Sequence, residues 1–401
     1  MAERRGVTAL GLVLMGSPGM QHCFLSTIII SLLIVIGPRQ GLADESVLIS
    51  SGKGVQEPRQ PQVAVGANGT VHLVYGVGEG VAYCQSKDGA QTFSSPVTAF
   101  RVTNMSLGMR RGPRVAVTSK AIVVTAVGGM MGKGRDGDVI TWRSMDGGSI
   151  WSGPVLVNDV VDAAREGLHA MAAGEDGSVW CVWLDLRDKR TEIYASRSVD
   201  GGASWERNIS VYKSPEKSVC ECCHPSVIVS GKTVHIMFRN SLDGERDMYV
   251  TSSKDDGATF SKAIKLGKGT WQLDACPMDG GMLAAGKKGG VLTLWQRNGE
   301  IYRAEASGAA EKLLGAGQQP WMTGTAKGPF MVWTVKREGD LMLQSPGLPT
   351  PRRIAVGARD PVIASSGSDG TVVCCWESKQ NGQSTIMAMA LQQAYASPSG
   401  Q

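Results

Sequence analysis

The sequence predicts an all-β fold, a β-propeller of four-stranded blades. Three observations carry that expectation: an octapeptide repeated in register, a pair of apolar strands that reopens each unit, and no long amphipathic helical period. With 401 residues, 42% of them hydrophobic and 19% charged, the chain is too apolar to be disordered and long enough for a large core. Its 52 glycines follow no three-residue period and point to many tight turns. Lys and Arg exceed Asp and Glu by five, two of the arginines are Arg4 and Arg5, and no long basic run follows. That balance argues against a nucleic-acid partner.

In chain order, residues 1–43 read as an address. Arg4 and Arg5 precede the uncharged apolar run Cys23 to Gly37, and Gly41-Leu42-Ala43 offers small residues to a signal peptidase. Fifteen residues are short for a bilayer span, which takes roughly 20. The segment is a signal peptide or, if uncleaved, an N-terminal anchor, and it is the only membrane attachment the sequence offers. The body, 44–401, is expected to be exported, either periplasmic or secreted.

Four octapeptides follow: SKDGAQTF from Ser86, SMDGGSIW from Ser144, SVDGGASW from Ser198 and SKDDGATF from Ser253, spaced 58, 54 and 55 residues apart. In each, Asp88, Asp146, Asp200 or Asp255 is placed to accept hydrogen bonds from the turn's own amides, and the terminal aromatic can fold back onto the strands. A strand–turn–strand pattern opens seven units, from Pro61, Pro113, His169, His224, Pro277, Pro320 and Pro361. A third strand, such as EIYASRS or DMYVTSS, runs into the octapeptide, and a fourth, such as PVLVND, leaves it. The last unit stops after its third strand, TIMAMAL, and Ser46–Ser50 (SVLIS) is the N-terminal strand expected to complete it and close the ring. The count is seven blades, with six as the alternative.

These octapeptides match the Asp-box, S-x-D-x-G-x-T-W, so the chain resembles the sialidase-like (BNR-repeat) propellers of exported bacterial type. Ala90, Ile150 and Ser204 depart from the pattern. The resemblance implies six blades, one fewer than the repeats give, and a structural role for the box that says little about reaction. It also implies three arginines clamping a carboxylate, an acid/base Asp, and a Tyr nucleophile assisted by Glu. Arg59-Gln60-Pro61 retains the Arg and Pro of the family's R-I-P motif, and Arg239 and Arg297 at second-strand ends resemble the other clamp members. No tyrosine stands where the nucleophile belongs; the last blade offers Trp376-Glu377. Tyr212 is read as a loop residue.

The segments entering each innermost strand, EPRQP, MRRGP, AREGLH, CECCHP, LDACPMD, GQQP and ARDP, should gather around one end of the axis as a polar funnel. Arg59, Arg111, Arg165, His169, Arg239 and Arg297 are the candidate ligand-binding residues. Glu166, Asp185, Asp274 and Asp360 are the candidate catalytic carboxylates, with Asp279 also available, and none is singled out by spacing. Trp183, Trp295, Trp321, Trp333 and Trp376 read mostly as inter-blade packing, with sugar stacking as the alternative.

Cys220, Cys222, Cys223 and His224 open the fourth blade, and Cys276 opens the fifth. In an exported chain a disulfide between neighbouring loops is the default, and a copper or zinc site using His224 and His169 is the sharper alternative. The C-x-x-C-H string is also that of c-type haem attachment, with little room here for a porphyrin. Cys84, Cys181 and Cys374 read as buried apolar residues. No cofactor is implied apart from a metal at that cluster. Three functional readings follow. The first is an exported propeller binding a glycan or other anionic ligand in its funnel. The others are a sialidase-type glycoside hydrolase, and a metal or redox propeller built on the cysteines.

Overall fold

The computed structural model describes residues 45–391, apart from 133, 287–288, 308–309 and 368–369. The predicted signal segment up to residue 43 lies outside the described residues, as does Tyr395. Among the described residues the regular structure is strand throughout, save two short 3-10 turns at Gly54–Gln56 and Arg165–Gly167.

Seven four-stranded antiparallel blades are present. Five are separate sheets, and the sixth and seventh share one seven-stranded sheet. The sharing strand is Arg352–Ser365. Its first half pairs with Gly339–Gln344 as the outer strand of the sixth blade, and its second half pairs with Val372–Gln380 as the inner strand of the seventh. Ser46–Gly52 pairs with Gln383–Ala390, so the N-terminal strand completes the seventh blade and closes the ring as the sequence predicts.

The inner strands are Pro58–Val65, Arg114–Val117, His169–Ala173, Ser226–Ser230, Gly281–Ala285, Gln318–Thr325 and the second half of Arg352–Ser365. Each lies beside the next, and the last returns to the first. The fifth begins four residues after Pro277, because Met278 takes a left-handed φ of 55° and Asp279 turns its side chain into a polar network. Tyr212 ends the strand Ile209–Tyr212, where Asn240 donates to its hydroxyl, so it is not a loop residue.

Second strands such as Val179–Asp185 are buried along their whole length because a blade is covered on both faces. The apolar clusters accordingly sit between blades. Leu73, Val373 and Ile386 join the first blade to the seventh, Val74 and Val124 join the first to the second, and Trp180 and Ile236 join the third to the fourth. Trp183, Trp295, Trp333 and Trp376 are buried in such junctions, which is the packing reading of those residues.

The Asp-boxes link neighbouring blades. Asp88 accepts from the amides of Gln91 and Thr92 and the hydroxyls of Ser86 and Thr92, and Asp200 repeats the full set. Asp146 lacks the second hydroxyl, where Ile150 stands, and Asp255 takes the Thr259 amide with the hydroxyls of Ser253 and Thr259. The leading serine oxygen accepts the amide four residues on, from Ala90, Gly148, Gly202 or Gly257. That fifth residue presses on the preceding blade: Gly148 on Tyr83, Gly202 on Val123, Gly257 on Trp180. Ala90, the departure from the motif, keeps a left-handed φ of 69° and buries its methyl against the seventh blade. The fifth and sixth blades lack the box. At their junction, on the Asp-box face, a cavity of about 460 Å³ opens between Arg303, Lys312, Pro329 and Pro346.

Candidate functional site at the axial mouth

At the end of the axis opposite the boxes, the chain enters each inner strand through a local irregularity. In the first, sixth and seventh blades the ladder bulges at Arg59/Gln62, Gln318/Trp321 and Arg359/Val362, across Gln60-Pro61, Gln319-Pro320 and Asp360-Pro361. Proline cannot donate to the ladder, which fits the break. Gln60, Gln319 and Asp360 hold φ of 55°, 58° and 48°, and Arg110, Glu166 and Met278 hold positive φ at the second, third and fifth entrances. Such conformations cost a side-chain-bearing residue about 1–2 kcal/mol each, and they concentrate where geometry serves function.

These bulges aim polar side chains at one another. The Gln60 amide donates to Glu377 Oε1 at 2.6 Å and its Nε2 to Asp360 Oδ2 at 2.9 Å. The Gln319 amide donates to Asp279 Oδ2 at 2.5 Å, and its Nε2 to Asp360 Oδ1 at 2.8 Å. Arg110 lies 3.7 Å from Asp360, donates to the Pro361 carbonyl and sits over the Trp321 ring. Asp279 Oδ1 and Arg110 Nη2 are buried with no hydrogen-bond partner among the described residues. Burial pushes the Asp279 carboxyl up to about 6, against the pull of Arg110 and Arg239, and raises Glu377 together with the neighbouring Asp360 charge.

Beneath this layer a cavity of about 50 Å³ is lined by Gln62, Arg114, His169, His224, Ser226 and Trp321, so it lies on the axis. It holds a few water-sized groups and is too small for a sugar ring. His169 and His224 are held neutral, far below the usual imidazole range, by burial and by the Arg114 and Arg110 cations. A ligand at this end must therefore sit above the Asp360 layer. Arg59 and Arg337 stand there with 43% and 41% of their side chains exposed, Arg59 paired with Glu57 and Arg337 reaching Asp360 at 3.8 Å.

The remaining candidates are distributed as follows. Arg111 is bound to Glu166, Arg165 lines a shallow cavity of about 330 Å³ with Arg135 and Lys189, and Asp274 is exposed. Asp185 is fully buried and held by Trp183 Nε1 and Arg187. Arg239 is buried, and its guanidinium donates to the carbonyls of Asp279, Arg246 and Gln296. Arg297 forks onto Glu311 at 2.8 Å through both nitrogens. His169 is buried on Thr125. The proposed three-arginine clamp is thus not assembled: of Arg59, Arg239 and Arg297, only Arg59 is open to a ligand. Arg110, Gln60, Gln319 and Arg337 were not singled out from the sequence. The recurrent polar-residue-then-proline pair in GQQP, EPRQP and ARDP was the signal for two of them.

The described cysteines are separate thiols. Cys220 Sγ lies 3.7 Å from Cys222 Sγ and 3.6 Å from Cys223 Sγ, beyond the roughly 2.05 Å of a disulfide, and Cys276 is exposed and outside the group. The contacts with Cys222 and Cys223 pull the Cys220 thiol down, while burial raises Cys223. Cys84, Cys181, Cys374 and Cys375 are buried with thiols pushed upward by burial.

A closed ring of Asp-box blades with an axial polar mouth is the architecture of a sialidase-like β-propeller. No family model matches the sequence, and no curated protein matches it. Among solved structures, the chain is similar to the Hadza microbial sialidase Hz136, at 13% identity and a TM-score of 0.50 over 85% of this chain and 68% of that one. It is also similar to the α-L-arabinofuranosidase Arb93A of Fusarium graminearum in complex with an iminosugar inhibitor, at 11% identity and a TM-score of 0.51, over 87% and 98%. The Trypanosoma rangeli sialidase aligns at 14% identity and a TM-score of 0.49 over 84% of this chain, which spans 55% of its length. At such identities the likeness establishes the fold alone.

Proposed function

We propose that this propeller binds a glycan, acidic or neutral, at the mouth above Asp360. The observation that carries the reading is convergence. Gln60, Arg110, Asp279, Gln319, Asp360 and Glu377, drawn from five blades, meet at one end of the axis beneath the partly exposed Arg59 and Arg337. A sugar ring needs donors and acceptors fixed by a rigid scaffold, and bulged strands supply both. Neighbours named as a sialidase and an arabinofuranosidase held with an iminosugar inhibitor support a carbohydrate ligand at that coarse level.

A second reading, glycoside hydrolysis, is favoured by one fact: Asp279 is an acid raised to about 6, one glutamine away from Asp360. A glycan array with wild-type protein and the Arg59→Ala/Arg337→Ala variant tests the site. Binding should fall at least about tenfold with the thermal melt unchanged, because both arginines are surface groups, and Arg297→Ala should bind normally. Retained binding in the double variant overturns the site. Turnover of nitrophenyl glycosides that Asp279→Asn removes would replace binding with hydrolysis.

A further inference from the structure

We propose that Cys220, Cys222 and Cys223 form a closed three-thiolate site for one soft, thiophilic ion, with Cu(I) the ion that fits. The three sulfurs lie within 4.8 Å of one another, and all three residues are buried. Three sulfurs at about 2.3 Å from a central ion sit roughly 3.8–4.0 Å apart. The observed 3.7 and 3.6 Å therefore need only a few tenths of an ångström of expansion. A single disulfide would leave one buried thiol behind, so pairing does not account for a group of three.

The ligand set selects the ion. Among the described residues no fourth His, Cys, Asp or Glu atom joins the group, His224 included. The thioether-bearing, partly buried Met278 packs against it. Zinc in a closed site takes four ligands, whereas an all-sulfur, three-coordinate, dry site suits a soft monovalent ion. The carbonyl of the buried Arg239 accepts the Cys220 amide at 3.0 Å, so a cationic residue is built in beside a site whose thiolates outnumber the ion's charge. On binding, each thiol gives its proton to solvent and no electron is transferred.

The place in the fold agrees. Six blade entrances carry a non-glycine residue at positive φ, and the fourth, between Cys220 and His224, carries none. There the thiol group stands where the others have a strained turn. This inference does not depend on the glycan reading.

The test uses the reduced full chain under anaerobic conditions, titrated with Cu(I) held in a bathocuproine disulfonate buffer. One Cu(I) per chain should be withdrawn, and in mild denaturant these three cysteines, but not Cys276, should react more slowly with iodoacetamide than in the copper-free chain. X-ray absorption should show only sulfur, at about 2.3 Å. Cys222→Ser should weaken binding by more than about 100-fold, the upper end of what loss of a mere outer partner costs, and Cys276→Ser should not. If Cys222→Ser fails to fold, the protection pattern and the absorption spectrum of the unaltered chain still decide. Failure to compete for Cu(I), a nitrogen or oxygen ligand in the spectrum, or a disulfide within the trio in the protein as isolated each overturns the site.

Discussion

At the scale of single residues, Asp279 shows what the axial mouth costs. Its carboxyl is buried, shares one oxygen with the Gln319 amide and leaves the other without a partner among the described residues. Its ordinary value of 3.8 rises to about 6 in the fold, so between those two pH values the folded chain binds more protons than the unfolded one. Stability is therefore lost as pH rises through that window, by an order of 2–3 kcal/mol. Asp279→Asn should melt higher than wild type at pH 7.5, and the gap should close below about pH 4, as read by calorimetry across pH. A gap that is constant with pH would mean that the Asp279 carboxyl titrates alike in the folded and unfolded chain. The sequence marked Asp279 and Asp360 as funnel acids but could not rank them, because their rank comes from burial and from which glutamine bridges them. It also favoured Arg111 over its neighbour: in Met109-Arg110-Arg111 a left-handed φ at Arg110 turns that arginine to the axis, and no composition rule reveals that turn.

At the scale of the element, the Asp-box is a latch between blades. Gly148 has φ of 94°, and a Cβ there would fall 2.3 Å from the Tyr83 ring of the preceding blade, whereas Gly147, with φ of 74°, faces open space. Gly147→Ala should cost about 1–2 kcal/mol from backbone conformation alone. Gly148→Ala adds an overpacking cost of about 1–3 kcal/mol and should melt measurably lower than its neighbour. Equal melts would deny the latch. The box was legible because its amide acceptors and aromatic are local to eight residues. The strand pairs were legible for the same reason, each being a short apolar run around a turn. What pairs across the ring was legible only at Ser46–Gly52, where a unit visibly lacked its last strand. Tyr212 was misread because a four-residue outer strand, half exposed, carries too little apolar pattern to stand out from a loop.

At the scale of the whole molecule, closure rests on that N-terminal strand. Removing the chain through Gly52 would uncover Gln383–Ala390, an edge carrying buried Ile386 and Ala388. A bare apolar edge pairs with other copies. The truncated protein should therefore associate with rising concentration in sedimentation velocity and melt below the intact protein; a monomer with an unchanged melt would show that the ring closes without it. The boxes sit on blades one to four, and the cavity of about 460 Å³ opens between blades five and six, where the latch is missing. The strand Arg352–Ser365 has a further consequence. Every other crossing from blade to blade interrupts the strand and can be lengthened or decorated, but this one is a splice. One residue inserted there would put its two halves out of step, reversing the inward and outward faces of one half against the blade that pairs with it. Natural variation and engineering alike have six places to build on this ring and one seam that must keep its length.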